Sequence, residues 1–76
     1  MITPKIEEIF YSLTNLGWKI DTYTKNDICC VCPPHVVDVM IENGKPYLEI
    51  SGGVLDQLTN EEKQLFNELI KEIEKL

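Results

Sequence analysis

The stretch ICCVCPPHVVDV, residues 28–39, holds every cysteine of the chain, Cys29, Cys30 and Cys32, and its one histidine, His35. Thiolate and imidazole are zinc ligands, and a thiolate beside an imidazole is also a nucleophile beside its base. Zinc asks for four tetrahedral ligands, commonly two separated pairs of close cysteines. Here Cys30 and Cys32 form a single pair. A set built on Cys30, Cys32 and His35 would need Asp38 or a second chain to close it. Cys29 and Cys32 have the spacing of a redox pair, but no strand-to-helix junction follows, and a strand points them to opposite faces. No third group that would orient His35 and no oxyanion element is visible. Ser51-Gly52-Gly53 lacks the lysine and the length of a phosphate loop. The sequence therefore assigns no catalytic residue, no metal and no cofactor. Free cysteine is a small, readily buried apolar side chain, and residues 28–32 read first as a strand.

Two helices and a run of strands must position these residues. In TPKIEEIFYSLTNLGW, Thr3 is a cap, Pro4 a first helical residue, and Ile6, Ile9, Phe10, Leu13 and Leu16 one apolar stripe closed by Gly17. In LTNEEKQLFNELIKEIEKL, Thr59 and Glu62 form a capping box, followed by a stripe of Leu65, Phe66, Leu69, Ile70, Ile73 and Leu76. Between them the period is two. Asn43-Gly44 separates two alternating runs and predicts a tight hairpin. Its register pairs Glu42 with Lys45, Met40 with Tyr47, Asp38 with Glu49 and Val37 with Ile50. Val37, Val39, Ile41, Leu48 and Ile50 then share one face, and Asp38, Met40, Glu42, Tyr47 and Glu49 the other. Two earlier strands, Trp18–Tyr23 and Ile28–Cys32, are separated by a polar turn, with Pro33-Pro34 stopping the second. Residues 51–56 form the loop into the last helix. The expected fold is one α+β domain spanning residues 1–76: helix, four-stranded antiparallel meander, helix, with both helices on one face of the sheet.

The strand before the hairpin has two registers. Tyr23 facing Ile28 across the turn and an unbroken ladder set Ile20 opposite Val31, which puts Cys29 in the core and Cys30 and Cys32 on the open face. The other register buries Cys30 and Cys32.

The chain has 76 residues and a formal net charge of −6, with seven lysines and no arginine. Phosphate neutralisation supplies most nucleic-acid affinity and arginine is the favoured base reader, so no nucleic-acid partner is expected. No apolar run is long enough to cross a bilayer, and no membrane partner is expected. The opening MITPKIEEIF lacks a cationic segment followed by an apolar one, and three cysteines, two adjacent, are unlike a secreted disulfide framework. A cytoplasmic, reducing compartment is the expectation.

One local rule is broken: Asp38 faces Glu49, and like charges directly across a sheet are destabilising. Such conflicts concentrate at functional sites. Met40 and Tyr47 lie beside them, and Tyr23, Cys30 and Cys32 extend the same face. The function expected is that of a small acidic non-enzymatic binding protein, an inhibitor, antagonist or antitoxin-like module. It would engage a protein partner with a basic surface through Tyr23, Asp38, Met40, Tyr47 and Glu49, with homodimerisation as a further expectation. One alternative is an oligomeric sequestering protein with a small-ligand pocket between subunits, because so short a chain has little core volume for a pocket. The other is a Cys/His metal-binding or thiol protein.

Overall fold

Thr3 opens the first helix, α1 (Pro4–Asn15): its side chain accepts from the Ile6 N–H, and Pro4 fills a position that needs no donor. The computed structural model describes residues 1–52 and 57–76. Four strands follow, β1 (Lys19–Thr24), β2 (Asp27–Cys32), β3 (His35–Glu42) and β4 (Lys45–Ser51), then α2 (Asn60–Glu74). The strands form one antiparallel sheet in the order β1-β2-β3-β4, as the meander expectation requires. Residues 53–56, most of the expected loop into the last helix, lie outside the described residues.

Asn43 and Gly44 both take positive φ, 53° and 77°, the backbone that lets a two-residue turn match the twist of its strands. The β3–β4 register is the one that this turn dictates, from Glu42–Lys45 to Val37–Ile50. At the other end of the hairpin the chain leaves Ser51 through Gly52, φ 87°. A Cβ placed on Gly52 would lie 1.5 Å from the Pro34 carbonyl oxygen, so only glycine lets these two backbones meet.

α1 packs on β1 and β2 and against α2, so both helices cover one side of the sheet. Ile6, Phe10 and Leu13 of α1 and Leu69 of α2 are fully buried over Ile28, Cys30, Val37 and Val39. Burying side chains of this size contributes about 1.5–3 kcal/mol each, which is how two amphipathic helices hold a four-stranded sheet. Trp18 closes the end of this core. It stands edge-on to Phe66, with ring centroids 5.6 Å apart, and its indole N–H donates to Glu62 Oε2 at 2.5 Å. Glu62 also completes the capping box with Thr59. One hydrogen-bonded unit therefore sets where α2 starts and how it lies on the sheet.

Both stripes end sooner than their periodicity suggests. Leu16 caps α1 and is largely exposed, Leu76 lies beyond the end of α2 and is also exposed, and Ile70 sits at the rim beside β4. The line through Phe66 and Leu69 meets the core, and Ile70 falls about 100° around the helix from Leu69.

Candidate functional site

The side of the sheet away from the helices has no described element over it, and strand pairing determines what it displays. Residues directly opposite in a ladder share a face. The pairs Thr22–Cys29, Cys29–Asp38, Asp38–Glu49, Asp27–Met40 and Met40–Tyr47 therefore all lie on this side. Two cross-strand rows result. One runs Thr22, Cys29, Asp38, Glu49; the other runs Thr24, Asp27, Met40, Tyr47. Asp38, Met40, Tyr47 and Glu49, four of the five residues expected on this face from the hairpin, stand together, and Glu42 lies beyond them opposite Lys45. With Leu48 they line a shallow hollow of about 290 Å³. Met40 and Tyr47 are exposed, at 39% and 54%.

Tyr23 is elsewhere. It pairs with the buried Ile28, which places it on the helix side, and its hydroxyl donates to Glu7 Oε2 on α1. That bond and the neighbouring carboxylate charge push the phenol up to about 12. The cause of the displacement is a bulge in β1. The register shifts between Ile20 and Thr22, so Asp21 is an extra residue. Tyr23 does face Ile28, but Ile20 now faces Cys30 rather than Val31. The parity of β1 reverses along its length.

The same pairing determines the cysteines. Cys30 is fully buried in the core and Cys32 packs against it, so the expectation that they extend the open face is overturned. The bulge joins the two registers: Tyr23 faces Ile28 as in the first, and Ile20 faces the buried Cys30, one residue out of step with it. Burial pushes the Cys30 thiol up to about 11. Cys29 takes the open side, where burial first, then Asp38, Asp21, Asp27 and Glu49, raise its thiol. Neither environment makes a ready thiolate. His35 pairs with Cys32 beside the Pro33-Pro34 turn and stacks on Trp18, with centroids 6.1 Å apart and planes 29° apart. Among the described residues no three His, Cys, Asp or Glu side chains are arranged to hold a metal ion.

Asp27 and Cys29 join this face, where the alternation of residues did not place them. Asp27 lies diagonal to Asp38, and both carboxyls keep one oxygen away from water with no hydrogen-bond partner among the described residues. Burial, then the closeness of the Asp27 carboxyl, then the charges of Asp27 and Glu49, raise Asp38 from its ordinary 3.8 to about 6. The one ion pair among the described residues, Lys75–Glu72, is on α2; Lys45 and Lys19 lie on the open side, opposite Glu42 and Val31, and neither forms an ion pair with this cluster. The face is thus a band of carboxylates flanked by a thioether and a phenol.

No described helix is long and apolar enough to cross a membrane. Comparison with protein-family models, with curated proteins and with solved structures gives no match.

Proposed function

We propose that this chain is a small acidic binding protein, of the inhibitor or antagonist kind, that takes a basic protein surface onto the open face of its sheet. The observation that carries the reading is the convergence of Asp27, Asp38 and Glu49, none of them in an ion pair among the described residues, beside exposed Met40 and Tyr47. Carboxylates placed opposite one another cost stability in the free chain, and a lysine or arginine laid between them recovers that cost only in the complex. Tyrosine and methionine are favoured at interface centres, where a rigid or adaptable apolar side chain fills a pocket. The hollow between Asp38, Met40 and Tyr47 suits one inserted cationic side chain, its stem on Met40 and its charge on Asp38. The overall charge of −6 draws such a partner in from a distance.

Capture from a native extract, with mass spectrometry of both the proteins and the small molecules retained, tests this reading. Enrichment of a protein with a lysine- or arginine-rich surface supports it. Retention of a small molecule with no protein contradicts it.

A further inference from the structure

The two edges of the sheet are built differently. β1 carries the bulge at Asp21, with Lys19 and Lys25 flanking it, devices that keep an edge from pairing with another strand. β4 has an unbroken register with β3 over its seven residues. In a two-residue hairpin the flanking pair, here Glu42 and Lys45, exchanges both hydrogen bonds, and the ladder then alternates. The backbone groups of Pro46, Leu48 and Ile50 accordingly point away from β3. Pro46 sits where the β3 ladder needs no N–H, and Leu48 and Ile50 offer theirs outward. No described strand lies outside β4, and Gly52, the residue after it, lies against Pro34. Beside this edge on the helix side, Ile50, Leu58, Phe66 and Ile70 line a cleft of about 200 Å³.

We propose that β4 joins two copies of this chain, antiparallel about a two-fold axis at Leu48, into one eight-stranded sheet. The edge is self-complementary in that register. Leu48 meets Leu48 and exchanges both hydrogen bonds, and each Ile50 N–H reaches the Pro46 carbonyl of the other copy. On the open face Tyr47 stands opposite the other copy's Glu49, and Lys45 opposite Ser51, so no like charges meet. One step in one direction sets Glu49 against Glu49. One step in the other puts proline into both central pairs and halves their hydrogen bonds. Face-to-face stacking of two open faces would press carboxylates together, whereas edge pairing leaves both acidic faces exposed and continuous. Repulsion between two chains of −6 opposes the association, so added salt tightens it.

Sedimentation equilibrium of the isolated chain tests this without reference to any other partner. The mass is expected to rise with concentration from 8.8 kDa toward twice that value, more readily at high salt. A synthetic chain N-methylated at the Leu48 amide keeps its β3 ladder and its circular dichroism, and its dimerisation should weaken at least about tenfold. Tyr47→Glu should weaken dimerisation by placing a carboxylate against Glu49, and adding Glu49→Lys should restore it. A chain that stays monomeric at every concentration and salt overturns the proposal. So does a dimer unaffected by both the N-methyl group and Tyr47→Glu.

Discussion

Asp38 and Asp27 approach diagonally across β2 and β3, and each keeps one carboxyl oxygen shielded from water with no hydrogen-bond partner among the described residues. Glu49 stands on the other side of Asp38. Burial of the Asp38 carboxyl, with the neighbouring Asp27 and Glu49 adding to it, disfavours its ionised form. The folded chain therefore holds a proton at Asp38 more tightly than the unfolded chain does. The stabilisation is fully present below the ordinary carboxyl value of 3.8 and is lost as the pH rises through about 6.

Asp38→Asn keeps the shape and removes the charge. Above pH 6 the variant is expected to be more stable than the parent by about 1 kcal/mol, a figure reduced for the solvent that still reaches the face. Below pH 4 the two should converge. Urea unfolding at pH 8 and pH 4 checks this. Equal stability at pH 8 would mean that Asp38 bears no strain from its neighbours.

The bulge in β1 and the pairing of β2 with β3 place adjacent cysteines in opposite surroundings. Cys30→Ser puts a hydroxyl into an apolar core and should cost about 1–3 kcal/mol. Cys29→Ser places the same hydroxyl beside the Asp38 carboxylate, which can accept from it, and should cost much less. Thermal unfolding of the two variants reads the difference. Comparable losses would argue against the assigned faces.

Trp18 reaches α2 through its indole N–H. Burial alone would raise the Glu62 carboxyl, but the Thr59 amide, the Trp18 N–H, the Thr59 hydroxyl and the charge of His35 outweigh it and leave it lowered. A lowered carboxyl supplies stability above its ordinary value of 4.5 and loses it as the pH falls. Trp18→Phe should cost about 1–3 kcal/mol at pH 7, through the lost donor and some lost packing. The part due to the donor should fade in acid. A cost that is the same at pH 7 and pH 3 would assign all of it to packing.

The sequence made the hairpin legible because Asn43-Gly44 allows one turn, and a slip of one residue would bury Asp38 and Glu49. Both caps were legible because Thr3 and Thr59 sit one residue ahead of their helices. The bulge was not. Nothing in KIDTYT separates Asp21 as an extra residue from Asp21 as an ordinary alternating one, so Tyr23 and Thr22 exchange faces without a local signal. The β2–β3 register was hidden for a similar reason. Pro33-Pro34 reads as a stop, yet Cys32 pairs with His35 across it, which aligns Asp27 with Met40 and brings a further carboxylate to the face. Asp27 was visible only as the end of a polar turn.

The central claim is that the carboxylate face captures a basic protein. The direct measurement is capture from native extract with the parent chain beside Asp38→Lys/Glu49→Lys. Asp38 and Glu49 already repel one another, so the double reversal should leave the fold intact, as circular dichroism can verify. A basic protein retained by the parent and lost from the folded double variant is the expected result. The same protein retained equally by both would contradict the account.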